Sequence, residues 1–494
     1  MVNALAEKVA VETLTDALKK QVRWSSVTLS EVLNGGLRLE SSYFNIDGKH
    51  AREVIKNCRW KKNPLCGNEG LTTAYHRPRF KRTFLEKSDY PIYQPSQINE
   101  ICPKPNLYIS KATSTDIDKL RVKKGQILLT CSGTIGNVTV VSDTLNNLIF
   151  SHDLIRITAK EESNTGYIYA FLKTKTGNTL INTNNYGAVV QHIEPEHLES
   201  IVIPDPDVGI KKDINKLILE SFELRDQSNN LVKEAEELLI SELKLPMLDG
   251  FNPKYLDKKS GIRSYEVKLS KLKGRLDAAN HLPIVNTILK HLSKYAEEVV
   301  TLGDSRISRN IILPGRFKRV YVEEGQGVVF FGGKELFELD PSGKKYLSLS
   351  HHARRINKEL TLAENMILIT CSGTVGKVNI VPKHWQGWTA NQHIIRVVPA
   401  NDSISGYIYC WLSSDYGYEL ITHFKYGAVV DEIDSKQVSQ VQIPLLKNKD
   451  SQKKINDSVL EANQKRYNAY LLEQKAISVV NNLVLNQPKT DEAI

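Results

Sequence analysis

The chain has 494 residues, 41% hydrophobic and 25% charged, with a formal net charge of +10. That length allows two to four domains with cores of their own, and the balance is ordinary for a water-soluble globular protein. A membrane class is excluded because no run approaches ~18 consecutive apolar residues; the opening Met1-Val2-Asn3-Ala4-Leu5 also lacks a basic-then-apolar signal pattern.

A positive surplus with pI near 9.0 favours a polyanionic partner, most often nucleic acid. The cysteines, at Cys58, Cys66, Cys102, Cys131, Cys371 and Cys410, form no CxxC pair. A disulfide scaffold and a zinc site are therefore not expected, and reduced thiols in a cytoplasmic protein are.

In chain order, residues 1–26 space Leu5, Val9, Leu14, Leu18 and Val22 among charged residues, which predicts an amphipathic N-terminal helix. From 27 onward the chain is read against itself. Thr130-Cys131-Ser132-Gly133-Thr134-Ile135-Gly136 returns as Thr370-Cys371-Ser372-Gly373-Thr374-Val375-Gly376, and Tyr186-Gly187-Ala188-Val189-Val190 as Tyr426-Gly427-Ala428-Val429-Val430. Val27-Thr28-Leu29-Ser30 and Arg38-Leu39-Glu40 likewise answer Val267-Lys268-Leu269-Ser270 and Arg275-Leu276-Asp277. A period of domain length is a tandem duplication rather than a solenoid. The first copy spans 27–207. Short β-type runs within it, such as Ile127–Thr130 and Leu154–Ile157, are separated by Gly, Asn, Asp and Pro, and one helix is expected from Tyr167 to Asn182.

Over 208–245 apolar residues recur at three- and four-residue steps through Ile210, Ile214, Leu217, Leu224, Leu231, Ala235 and Leu238. This predicts one central helix of about 50 Å with a coiled-coil seam. A linker marked by Pro246, Gly250, Pro253 and Gly261 opens the second copy, 246–446; a second long helix and tail follow over 447–494, with Arg466 and Glu473 on its seam. The expected fold is α+β: two strand-rich domains, each followed by a long helix. The helices are expected to pair as an antiparallel coiled coil and to hold the domains at opposite ends of a rod.

No catalytic motif emerges. Asn63-Pro64-Leu65 and Gly325-Gln326-Gly327 do not make a base-methyltransferase signature, Gly332-Gly333-Lys334-Glu335 is not a Walker loop, and there is no nucleophile elbow. Asp205 and Asp257 lie on opposite sides of the central helix, which argues against a shared metal site. A binding protein without cofactor or metal is expected.

Arg79-Phe80-Lys81-Arg82 and Arg316-Phe317-Lys318-Arg319 each set three cations around one aromatic. They read either as phosphate or guanine contacts or as solvated basic loops anchored by Phe. Ser132, Thr134, Ser372 and Thr374 could offer hydroxyls to a phosphate or tie their own turn together, the reading preferred for the neighbouring glycines. Base-reading residues are sought where the copies diverge, in 45–76 against 281–313 and 142–153 against 382–393. That selects Arg59, Lys61, Lys62, His76, Arg306, Arg309, His384 and Gln392. His152-Asp153 and His351-His352 are read as isolated surface or hydrogen-bonded residues.

With these motifs in order, the chain resembles the specificity subunit of type I restriction-modification enzymes. The resemblance rests on Arg275-Leu276-Asp277-Ala278, the strand and turn Gly125–Gly136, Ser151-His152-Asp153-Leu154-Ile155-Arg156, and the Ile-Pro strand end leading into each long helix. It implies two target-recognition domains reading the halves of a bipartite, asymmetric site in double-stranded DNA, and no cofactor on this chain. Modification subunits would bring S-adenosylmethionine and methylate adenine, and a motor-nuclease subunit would cut unmodified DNA. The second copy departs from the pattern at Asn391-Gln392-His393.

Overall fold

The two copies fold alike, strand for strand. The computed structural model describes residues 25–34, 37–187, 190–251, 265–272 and 274–486; nearly all of the expected 1–26 helix, and Pro253 and Gly261, lie outside them. In the first copy Thr72–Tyr75, Leu154–Ala159, Ile127–Thr130 and Val138–Val140 lie side by side in that order as an antiparallel sheet. In a second sheet, Phe84–Leu85, Leu107–Ile109 and Pro91–Tyr93 are joined by a parallel partner, Ile149–Phe150. The second copy repeats both orders with Ser308–Ile312, Ile394–Pro399, Ile367–Thr370 and Val378–Ile380, then Tyr321–Val322, Lys345–Ser348, Gly327–Phe331 and Thr389–Ala390.

The strand Ile127–Thr130 is buried throughout because both of its faces are covered. Ile127 and Leu129 pack with Tyr167, Ile168 and Phe171, whereas Leu128 joins Tyr93 and Phe150. Alternation along the strand sends successive side chains into these two cores. The sheet is thus a middle layer between helices and the second sheet.

The helix expected from Tyr167 to Asn182 is two helices, Thr165–Lys173 and Lys175–Thr183. Thr174 leaves the helical region at ψ 156°; its Oγ1 accepts from Gly177 N at 3.0 Å and donates to the Phe171 carbonyl at 2.6 Å. A hydroxyl that caps a new helix start outcompetes continuation. Ser414 repeats the break with Gly417 and Trp411.

The two long helices are Val208–Glu242 and Lys449–Val479, the latter extended by a π-helical stretch, Val480–Leu485. They run antiparallel. Ser451 Oγ donates to Glu242 at 2.6 Å near one end, and Ser221 Oγ donates to the Ala469 carbonyl at 2.7 Å further along.

Each half of this pair belongs to a domain core. Ile214, Ile218 and Phe222 share the first core with Ala476, Val480 and Val484, whereas Ala235 and Leu239 share the second with Ile455 and Val459. The domains therefore occupy opposite ends of the rod, as expected, packed against its sides because its apolar faces are what they bury. They also touch, which the rod picture did not anticipate. Glu100 and Glu338, each three residues beyond a single helical turn (Pro95–Gln97 and Gly333–Glu335), face each other across an antiparallel bridge, and Ile101 N donates to the Phe337 carbonyl at 2.9 Å.

Candidate nucleic-acid interface

Strand register decides which loops share a surface. Tyr75 pairs with Arg156 and Thr130 with Leu154. The residues just beyond Tyr75, just beyond Thr130 and just before Leu154 consequently emerge at one end of the same sheet. These are His76–Arg82, the Ser132-Gly133-Thr134 turn, and His152-Asp153. A backbone bridge between Ser132 and His192 adds the Tyr186 loop. The second copy does the same, because Ile312 pairs with Arg396, Thr370 with Ile394, and Ser372 bridges Glu432. Segments more than 100 residues apart in sequence thus meet on one face of each domain.

The turn between them is held by glycines. Gly133 and Gly136 have φ of 72° and 94°, and their counterparts Gly373 and Gly376 have 75° and 89°, a region that L side chains with a Cβ seldom adopt. A Cβ on Gly136 would also come within 2.8 Å of the Asn182 amide. Ser132 and Ser372 are half-buried, while Thr134 and Thr374 are exposed. Cys131 and Cys371 point inward, and burial pushes their thiols up to about 12, so they are core residues rather than nucleophiles.

Arg79, Lys81, Arg316 and Lys318 are exposed, and Arg82 and Arg319 are half-buried. Phe80 packs against the core beside Ile92 and Ile109, with its ring edge-on to His152 at 5.6 Å. Phe317 packs in the same way on Phe330 and His352. In both loops the phenylalanine is an anchor, as expected for a solvated basic loop, and Arg79, Lys81, Arg316 and Lys318 stand exposed around it. Arg319 donates to Gln392 at 2.7 Å, Arg316 lies 3.5 Å from Glu432, and Arg355 holds the loop by donating to the carbonyls of Gly315 and Arg316. His76 sits 3.1 Å from Glu194, which also accepts the Tyr186 hydroxyl at 2.8 Å. Burial lowers the His152 and His393 pKa values, and the nearby arginines add to this. Both rings are then mostly neutral near pH 7 and able to accept as well as donate a hydrogen bond.

The other sequence-selected residues lie elsewhere. Arg59 stacks on Trp60 at 4.2 Å, and the Trp60 indole donates to the Leu483 carbonyl at the far end of the second long helix (the distal helix), Lys449–Val479 with its extension to Leu485. Lys61 pairs opposite Asp205, and Lys62 reaches the Cys58 carbonyl. Arg306 is held by Glu298 and Asp304, and Arg309 by the Ala400 carbonyl. His384 stacks on Tyr470 of the distal helix at 4.1 Å and contacts the Leu339 carbonyl. The divergent segments 142–153 and 382–393 mostly dock the domains on the helices: Ser142, Asp143 and Thr144 all bind Asp226. Only their last residues reach the face.

Residue typing alone passed over three supports of this face. His152 and Asp153 are part of it. Arg156 and Arg396, fully buried as the third residue of their strands, donate to the carbonyls of Leu154 and Leu120, and of Asn391 and Ile394. Arg38, paired with Glu40, donates to the Asn185 carbonyl at 2.7 Å; Arg275, paired with Asp277, donates to Lys425 at 2.8 Å. Each thereby clamps the residue before Tyr186 or Tyr426. The available signal was the repetition of Arg38-Leu39-Glu40 as Arg275-Leu276-Asp277, which by itself carries no partner.

A family model described as the Type I restriction modification DNA specificity domain matches residues 73–237 and 350–462, together more than half of the chain. Among solved structures, the S subunit of a Type-I restriction-modification system from M. genitalium is 15% identical, covering 88% of this chain and 98% of its own, with a TM-score of 0.32. The HsdS subunit from Thermoanaerobacter tengcongensis is 14% identical, covering 86% and 100%, with a TM-score of 0.27. No curated protein matches. Superposition at these TM-scores is loose, so the assignment rests on the family model, whose two matched segments each run from a domain into its long helix. The chain belongs to the type I restriction-modification DNA specificity family, whose members are recognition subunits without catalysis of their own.

Proposed function

We propose that this chain reads a bipartite, asymmetric site in double-stranded DNA, one half with each domain, and positions methyltransferase and motor-nuclease subunits there. The observation that carries this reading is the repeated face. Both domains gather an arginine-lysine loop, a Ser-Gly-Thr turn and a tyrosine loop at one sheet end, yet differ in the residues between them. Shared cations suit a phosphate backbone that is the same everywhere, and unlike neighbours suit unlike base sequences. Adenine must leave the stack to be methylated, so a recognition chain has to grip flanking DNA while a partner carrying S-adenosylmethionine takes the base. The antiparallel helices would set the unspecified spacer between the halves.

Methylome sequencing of a host carrying the complete system tests this. A split motif with unlike halves is expected, and a continuous or palindromic motif would contradict it. Binding of the assembled complex should also weaken steeply with salt, in proportion to the phosphates neutralised.

A further inference from the structure

His152 and Asp153 stand immediately before the strand Leu154–Ala159, and Gln392 and His393 hold the same two places before Ile394–Pro399. Their surroundings are shared: the arginine-bearing loop, the glycine turn, the tyrosine loop and a buried arginine on the strand itself. The chemistry at these two positions is not.

In the first domain the His152 Nε2 lies 3.2 Å from the Asp153 carboxylate, and its Nδ1 is buried with no protein partner among the described residues. Arg82 inclines toward the Phe84 ring at 6.0 Å. In the second domain the Gln392 Oε1 accepts from Arg319 Nη2 at 2.7 Å, while its Nε2 lies 2.8 Å from His393 Nε2. Gln392 therefore pins one edge of the Arg319 guanidinium over the rings of Phe317 and Phe330, at 5.9 and 5.4 Å. The remaining N–H groups keep a set direction.

A fixed guanidinium suits the two acceptors on the major-groove edge of guanine. An imidazole with a carboxylate beside it and its other ring nitrogen buried offers a different pattern, in which the Asp153 oxygens are acceptors where the second domain presents donors. A negative charge at Asp153 in one head and a neutral ring at His393 in the other further separate the two surfaces.

We propose that the pairs His152–Asp153 and Gln392–His393 are the specificity determinants that make the two half-sites unlike. Gln392 acts by fixing how Arg319 is presented to the bases, whereas His152 and Asp153 set a carboxylate at the matching place in the first domain. This rests on the bipartite reading above.

The test uses the complete complex with four versions of this chain: wild type, the near-isosteric Gln392→Met, His152→Gln, and the exchange His152→Gln with Asp153→His. Methylome sequencing reads both halves of the site, and thermal melting reads the fold. Gln392→Met is expected to lower discrimination in one half-site about ten- to hundred-fold, leaving the other half, the spacer and the melting temperature in place. His152→Gln is expected to do the same to the opposite half, and the exchange to shift that half toward the sequence read by the second domain. Unchanged motifs in all variants would overturn the proposal, as would equal weakening of both halves or loss of melting temperature without altered sequence preference. A wild-type motif that is not split would instead sink the bipartite reading, and this assignment with it.

Discussion

Lys81 and Lys318 occupy matched, exposed places on the basic loops, and their short-range chemistry is that of a point charge. Lys81→Ala and Lys318→Ala are expected to weaken binding to all sequences about equally and each to reduce the salt slope by about one; titrations at several salt concentrations measure this. Arg38 and Arg275 act one step back. Each guanidinium joins its carboxylate partner to the carbonyl just before the tyrosine loop, beyond the end of the preceding helix, and Arg275 holds the Asp277 pKa down. Arg275→Ala is expected to speed amide hydrogen exchange over 424–427, with Arg38→Ala doing so over 184–187. Lysine should not rescue either, because a compact ammonium lacks the planar fork that spans the carboxylate and the carbonyl together.

At the scale of elements, the helix pair explains why charged residues fall on an apolar seam. Glu473 is fully buried beside Arg225 at 2.5 Å, the Tyr169 hydroxyl at 2.5 Å and Lys173 at 3.8 Å. Burial alone would push its pKa up, but Arg225, Lys173 and these hydrogen bonds hold it at about 2. Glu473→Ala leaves Arg225 buried without its anion and is expected to cost about 3–5 kcal/mol in a denaturation experiment. Arg466 instead meets Ser228 at 3.3 Å, so the middle of the pair is polar and its two strands are not interchangeable. A buried polar set of this kind favours one register over others.

His384 docks the second domain on the distal helix as a neutral ring, because burial pushes its pKa to about 4. The unfolded chain takes up that proton near 6.5. Its contribution is therefore complete above about pH 6.5 and is lost as pH falls toward 4. His384→Phe should flatten that part of a stability-versus-pH curve measured by melting.

Across the whole molecule, the contact at Glu100 and Glu338 couples the heads directly. Burial raises the Glu100 carboxyl to about 7, with Glu338 adding to the effect and Lys377 opposing it. A raised acid pKa favours the protonated, folded contact. Its contribution is full below about pH 4.5 and disappears as pH rises through about 7. A distance probe between the heads should report loosening across that window, and Glu100→Gln should remove the dependence. A one-turn insertion into 217–238 alone would also shift Ser228 from Arg466 and Arg225 from Glu473, so an altered spacer or failed assembly is expected. An unchanged methylome would argue against the helices as the ruler.

Periodicity and repetition are local properties, and they were legible. The duplication, the short buried strands such as Ile127–Thr130 and the two long helices follow from spacing that any reader of the chain can count. The break at Thr174 was not legible, because a hydroxyl within a helical pattern does not announce whether it will cap. Nor was the membership of the face. Divergence between copies selected His384 and Gln392 alike, but one packs on Tyr470 and the other meets Arg319. His152 looked isolated because its neighbours on the surface, Arg79, Arg82 and Phe80, are some 70 residues away in sequence. Only the pairing of Thr72–Tyr75 with Leu154–Ala159 and of Ile127–Thr130 with the same strand brings those ends together. Sequence spacing determined which elements form, whereas strand register and helix docking, which join residues far apart along the chain, decided which side chains share a surface.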